Sequence, residues 1–332
     1  MFKLMPKINI MPDNVNFDVN ENETILDAGL RLKYKLPHSC KNGACGACKT
    51  MVLDGKIKLD PYNDLTLSQH DKEQGYTLLC KAHPLTDVKL EIDNLFDAMP
   101  IRILPVKVSD IIKINQVAIL KVKLPSNLPF NFYAGQYVEI LLKGKNRLYS
   151  IGSSPTNGQE IELHIKYHQD GVFSQYVWNE LKVGDILRFK GPLGHFRLQS
   201  TNNPIICVCT GTGFAPLKSI LDYMAETANK RKIYFYWGNK IEDDFYALDI
   251  IKKWQQQLDI KIILALSQDK QQNYASGRVT NLLNNDFANF ADYEIYACGN
   301  PTMIEEVFHL TCKRGLNKKN FFSDAFIPSV IE

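Results

Sequence analysis

The sequence predicts a multidomain chain: a small α+β unit, an antiparallel β-barrel and an α/β domain with a parallel sheet. Three observations predict it. Short β-type runs surround one helical stretch in the first hundred residues, turn-punctuated β-runs fill the middle, and strands alternate with helices beyond Pro204. The 332 residues exceed one ordinary domain, and a 45% hydrophobic content can fill more than one core. Pro100 and Pro105 mark a connection, which places the domains at residues 1–96, 105–200 and 201–332 with a linker at 97–104.

In the first part, strand-like alternation runs from Phe2 to Ile10 and from Val15 to Val19, and a helix follows Thr24. A Gly- and Cys-rich loop from Ser39 to Cys48 precedes short strands at 50–53 and 88–92. The barrel is read from β-runs at 116–124, 136–142, 148–152, 160–167 and 185–190, with a short helix near Phe173–Leu181. In the last part, Pro204–Cys209 reads as a buried strand, a helix runs from about Pro216 to Ala228, and another lies near Phe245–Gln257. Strands are expected at 232–237, 260–266 and 293–298, the last followed by a helix.

Charge excludes more than it suggests. The net +3 has no long basic block, so nothing points to nucleic acid. Residues 1–98 carry 12 basic and 14 acidic side chains and the remainder 27 and 22, which suits a mildly acidic electron-delivery module. No run approaches the ~20 apolar residues of a membrane span, and the N-terminus lacks the apolar stretch of a secretory leader, so a cytoplasmic location is expected.

The cysteines carry the sharpest signal. Cys40, Cys45 and Cys48 have C-x4-C-x2-C spacing, with Cys80 32 residues further on. Three thiolates on one loop and a distant fourth are the ligand pattern of a plant-type 2Fe–2S cluster. Gly43, Ala44, Gly46 and Ala47 leave room for it and let backbone N–H groups reach its sulfurs. Zinc sites show paired short spacings that are absent here. Cys207, Cys209 and Cys312 are expected to be buried, inert thiols, whereas Cys298 closes a strand at the end where parallel sheets bind ligands.

Three further segments suit nucleotides. Arg147-Leu148-Tyr149-Ser150 offers, on one strand, a cation for a phosphate, a ring for a flavin and a hydroxyl for a ring nitrogen. Gly171-Val172-Phe173-Ser174 starts a helix, whose N–H groups can meet a pyrophosphate, or is simply a turn with a serine cap. Thr210-Gly211-Thr212-Gly213-Phe214-Ala215-Pro216 follows a buried strand and opens a helix, the context of a phosphate loop, though it is not G-x-G-x-x-G.

The order of cluster loop, RLYS, GVFS, TGTGFAP and CGNPTM resembles the ferredoxin–NADP reductase superfamily carrying an N-terminal ferredoxin domain. The resemblance covers essentially the whole chain. It implies a β-grasp ferredoxin domain, a six-stranded FAD barrel and a nicotinamide-dinucleotide domain. It further implies that Arg147 contacts the FAD phosphates, Tyr149 flanks the isoalloxazine and Ser150 bonds its N5, with Leu148 beside them. Ile165, Lys166, Val172, Phe173 and Ser174 would line the pyrophosphate. Thr210–Pro216 would hold the dinucleotide, and Cys298 and Gly299 would flank nicotinamide C4. Phe326 would cover the flavin until nicotinamide displaces it. Ser150, Cys298 and Phe326 form the implied catalytic set.

Within that superfamily Tyr236-Trp-Gly, Tyr296-Ala-Cys-Gly and Phe321-Phe-Ser-Asp-Ala-Phe-Ile-Pro look most like CDP-4-dehydro-6-deoxyglucose reductases of 3,6-dideoxyhexose synthesis. Reductase components of phenol, benzoate and methane oxygenases share the domain order. The implied partner is therefore an electron-accepting protein, either an iron–sulfur sugar dehydrase or an oxygenase component. NADH is favoured over NADPH, because Glu242, Asp243 and Asp244 oppose a 2′-phosphate while Lys240 alone would attract one. A flavin or ferric reductase would not need the cluster domain, and an iron–sulfur sensor would leave three nucleotide-type segments unexplained.

Overall fold

The computed structural model describes residues 5–34, 36–38, 41–44, 46–64, 66–92, 99–142 and 146–326. The chain divides into two compact units, one built on residues 1–100 and the other on 101–326.

In the first unit, strands β1 (Lys7–Met11) and β2 (Val15–Asp18) form a hairpin, followed by helix α1 (Ile25–Arg31). β3 (Lys49–Asp54), β4 (Ile57–Leu59), α2 (Gln69–Glu73), β5 (Tyr76–Leu78), β6 (Ala82–Pro84) and β7 (Val88–Glu91) complete it. The main sheet runs β2-β1-β7-β3-β5, with β1 and β7 parallel and the other pairs antiparallel. Thr24 caps α1 by accepting from Asp27 N at 3.1 Å, and the helix lays Ile25, Leu26 and Ala28 on a core with Ile8, Ile10 and Leu90. A mixed sheet crossed by one helix is the expected β-grasp arrangement.

The second unit opens with the barrel: β8 (Arg102–Ile114), β9 (Val117–Lys123), β10 (Tyr137–Ile140), β11 (Arg147–Ser150), β12 (Glu160–Lys166), helix α3 (Val172–Asn179) and β13 (Ile186–Leu193). Its antiparallel order is β11-β10-β13-β8-β9-β12, and a bridge between Ile151 and Leu163 closes the ring. Strand β8 corrects the expected linker, because residues 102–104 already belong to it. Pro105 sits within this strand without breaking the ladder. Val108 donates its N–H to Asp185 O on the β13 side, so by alternation position 105 faces the other side, where pairing with β9 begins only at Lys107.

The parallel sheet comprises β14 (Ile205–Thr210), α4 (Phe214–Glu226), β15 (Ile233–Asn239), α5 (Leu248–Gln257), β16 (Ile260–Leu266), β17 (Ala275–Ser276), α6 (Val279–Asp286), β18 (Glu294–Gly299), α7 (Pro301–Lys313) and β19 (Phe321–Ala325). Its order is β17-β16-β15-β14-β18-β19, every pair parallel. Strand order reverses between β14 and β18, which opens a crevice at their carboxyl ends. Helix α4 begins at Phe214 rather than Pro216, because Gly211–Gly213 already form one tight turn. Helix α5 begins at Leu248 rather than Phe245, since Phe245 is extended, and Phe245 and Tyr246 pack edge-on against Trp237. Cys207 and Cys209 are buried as expected, but Cys312 on α7 is half-buried.

Candidate active site

The exit of β11 and the carboxyl ends of β14 and β18 lie in one unit. Along β11, alternation sends Arg147 and Tyr149 to one face and Leu148 and Ser150 to the other. Tyr149 is half-buried, its ring 5.3 Å from that of Phe173, and burial pushes its phenol well above the usual value. Among the described residues, Arg147 donates from Nη1 to the carbonyl of Asn146 at 2.8 Å, and its planar fork carries further N–H donors that suit an anion. Leu148 and Val172 are exposed, and apolar side chains there can shield a planar ring.

Helix α3 presents its first N–H groups, which have no intrahelical acceptor. The hydroxyl of Ser174 is less free than the sequence suggests. Its one proton lies within reach of His168 O (3.1 Å) and Gly171 O (3.0 Å), and its oxygen accepts from His168 N (3.1 Å), fastening the turn. The Ile165, Phe173, Phe214 and Pro216 side chains are buried, so backbone alone is left to face a ligand at Ile165. Lys166 is exposed.

The nucleotide loop is packed backbone against backbone. A Cβ on Gly213 would stand 2.4 Å from the carbonyl oxygen of Cys298, and one on Gly299 (φ +113°) would stand 2.7 Å from Thr210 Oγ1. Asn300 N donates to Thr210 Oγ1 at 3.1 Å, which locks the two strand ends together. Gly211, at φ +53°, instead has nothing within 4 Å of its Cβ position. A small solvent-open cleft begins there, lined by Lys166, Gly211, Thr212, Asn239, Asp243 and Asp244. Asn239 accepts from Gly211 N at 3.2 Å, while its Nδ2 is buried with no partner among the described residues.

Asp324, on β19, is the residue that sequence reasoning missed. It pairs in register with Cys298, and its Oδ2 accepts from Ser150 Oγ at 3.1 Å. Surrounding protein pushes its carboxyl up to about 6, although the Ser150 bond pulls the other way. One carboxylate therefore joins the strand end of Ser150 to that of Cys298. The Cys298 thiol is fully buried and raised well above its ordinary range by burial, with Asp324 adding to the effect, so it is neutral. Phe326 donates its N–H to Gly299 O at 2.8 Å, which places it over the end of β18. The motif Phe321–Pro328 was visible as a pattern, but nothing local shows that its aspartate meets a serine 174 positions away.

Among the cluster residues, Cys40 and Cys45 lie outside the described residues. Cys48 and Cys80 are buried with their sulfurs 3.3 Å apart. Two thiolates on one tetrahedral metal, each about 2.3 Å from it, would be roughly 3.8 Å apart. Thr66 Oγ1 is buried with no partner among the described residues, and its methyl lies 3.4 Å from the Cβ position of Gly46. A paired sulfur edge and an unpaired hydroxyl beside the loop both fit a bound cluster.

Three family models match in the same order: a 2Fe-2S iron-sulfur cluster binding domain over residues 8–85, an oxidoreductase FAD-binding domain over 105–198 and an oxidoreductase NAD-binding domain over 207–309. The chain is 32% identical over 327 residues to the CDP-6-deoxy-L-threo-D-glycero-4-hexulose-3-dehydrase reductase of Yersinia pestis, covering 97% of this chain and 98% of that one. This chain is an iron–sulfur flavoprotein reductase of the ferredoxin–NADP reductase superfamily. The reductase is also 30% identical over 342 residues to the reductase component of propane 2-monooxygenase from Mycolicibacterium goodii, with 98% of each covered. Among solved structures, the cytochrome P450 reductase GcoB of Amycolatopsis superimposes with a TM-score of 0.76 at 26% identity, covering 98% of the reductase and 100% of that chain.

The reductase thus carries a 2Fe–2S domain, an FAD-binding domain and an NAD-binding domain. Its donor set fits those groups: Arg147 and the start of α3 for a pyrophosphate, and the open Gly211 with the unpaired Asn239 amide for a dinucleotide. Among the described residues, no helix of the reductase is long and apolar enough to cross a membrane.

Proposed function

We propose that the reductase takes hydride from NADH and delivers single electrons through its 2Fe–2S domain to a protein partner in the cytoplasm. The observation that carries this reading is the Ser150–Asp324 bond of 3.1 Å, because Asp324 pairs with Cys298 and so joins the flavin-side strand to the nicotinamide-side strand. A nicotinamide gives two electrons at once and a 2Fe–2S cluster takes one, and the flavin supplies the chemistry that converts one into the other.

The chain's own groups bind and orient. Arg147 and the N–H groups of α3 hold the FAD pyrophosphate, while Tyr149 packs beside the ring. Ser150 would face the flavin, with its hydroxyl donating to Asp324, whose raised carboxyl can hold or release a proton beside it. The Thr210–Gly213 turn and the Asn239 amide bind the dinucleotide. Cys298, a neutral thiol, packs against the nicotinamide once Phe326 moves from the end of β18. Asp243 and Asp244 in the cleft favour the free 2′-hydroxyl of NADH over the phosphate of NADPH.

The acceptor we propose is a sugar dehydrase of deoxyhexose synthesis, supported by likeness to the Yersinia reductase. An oxygenase component is the second reading, favoured by the propane monooxygenase relative. Cys48→Ser tests the electron route. Transfer to the protein acceptor should be abolished while NADH-to-ferricyanide activity persists, and equal loss of both would contradict a linear path from flavin to cluster.

A further inference from the structure

Buried charge ties the helix after the nucleotide loop to the barrel. Lys218, on α4, donates from Nζ to Gly152 O at 3.1 Å and lies 3.0 Å from Glu162 Oε1 on β12 and 2.9 Å from Asp222 Oδ2. The next residue, Ser219, donates to Ser153 O at 2.7 Å. His164 Nε2 is 2.8 Å from the same Glu162 oxygen, His164 Nδ1 is 2.8 Å from the Tyr246 hydroxyl, and Trp254 Nε1 donates to Asp222 Oδ1 at 2.8 Å. The side chains of Lys218, Glu162 and Asp222 are only 12%, 14% and 10% exposed.

The charges are settled despite this burial. Burial lowers the His164 value and keeps the ring neutral, so Nε2 donates to Glu162 and Nδ1 accepts from Tyr246. Burial would raise Glu162, but the hydrogen bond from His164 and the Lys218 charge bring it down to about 2. Burial would lower Lys218, yet Glu162 and Asp222 outweigh it and hold the ammonium charged. Buried ions seldom add net stability over well-packed apolar groups, because desolvation offsets their attraction. Their distinctive contribution is directional: few geometries satisfy every partner.

The segments they join are the ones that carry the redox groups. Gly152 and Ser153 lie two and three residues beyond Ser150, and α4 follows Gly213, whose backbone abuts Cys298. We propose that Lys218, Glu162 and Ser219 are positioning residues for hydride transfer, holding the Ser150 end of the barrel in register with the Gly213–Cys298 end of the parallel sheet. This rests on the reading that flavin lies against Ser150 and nicotinamide against Cys298. Reacting atoms displaced by 1 Å can lose about 100-fold in rate.

The paired variant Glu162→Gln/Lys218→Met removes one charge of each sign and so keeps the net charge of the cluster. In the full-length holoprotein, anaerobic stopped-flow reduction by NADH should show the limiting rate falling at least about tenfold, while the NADH Kd changes less than about threefold. The long-wavelength charge-transfer absorbance of the NADH–flavin complex should weaken at unchanged FAD content. A wild-type rate and a wild-type absorbance would overturn the proposal. If the pair does not retain FAD, Ser219→Ala replaces it: the same split at smaller size supports positioning, and no change overturns it. Failure of the wild-type protein to be reduced by NADH would overturn the proposed function itself.

Discussion

The two regions that meet at the crevice are built in opposite ways. At β14 and β18 the work falls to backbone, and the essential property of Gly213 and Gly299 is the side chain they lack. At β11 it falls to side chains: Arg147, Tyr149 and Ser150 each offer a different chemistry along one strand. A dinucleotide phosphate asks for close approach and N–H groups, whereas a flavin ring asks for particular donors at particular atoms. Tolerance to substitution should differ accordingly.

The largest effect is expected where backbone meets backbone. Gly213→Ala sets a methyl 2.4 Å from the Cys298 carbonyl oxygen, and no flexible side chain can yield. Flavin reduction by NADH should fall by about 100-fold, checked by stopped flow, because the two strand ends must part. Wild-type turnover would break the contrast between the two regions.

An intermediate effect is expected on the side-chain end. Asp324, with its carboxyl raised to about 6, favours the folded state most below its unfolded value near 3.8, and that contribution is lost as pH rises through 6. Asp324→Asn should therefore raise the thermal midpoint at pH 7 by an amount worth roughly 1–3 kcal/mol, with the gain vanishing near pH 4. The same variant should flatten the pH dependence of flavin reduction near 6. A variant that melts in parallel with wild type at both pH values would show that the carboxyl is not held above its ordinary range.

The smallest effect sharpens the comparison from within the loop. Gly211→Ala meets no neighbour within 4 Å and carries only the cost of φ +53°. That cost is about 1–2 kcal/mol, or a few degrees of thermal midpoint. A fall in flavin reduction as large as that of Gly213→Ala, at an unchanged NADH Kd, would break the contrast.

Local signals were legible and long-range ones were not. The Cys40–Cys48 spacing and the strand–turn–helix around Thr210–Pro216 announce themselves within ten residues, because a cluster loop and a phosphate loop are continuous pieces of chain. Strand β8 was hidden by Pro105, whose signature does not reveal which side of a strand lacks a partner. Asp324 and Lys218 were silent, since their partners lie 174 and 66 positions away. Ser174 shows a subtler limit: its type was right for a phosphate, but its hydroxyl is engaged by the turn that positions it.

Anaerobic titration of the purified full-length protein with NADH and then NADPH, followed by visible absorbance and EPR, tests the central claim most directly. Flavin and cluster should bleach together, with a rhombic reduced-cluster signal and a preference for NADH. Flavin reduction by either donor without any cluster signal, in protein shown to retain its iron, would contradict it.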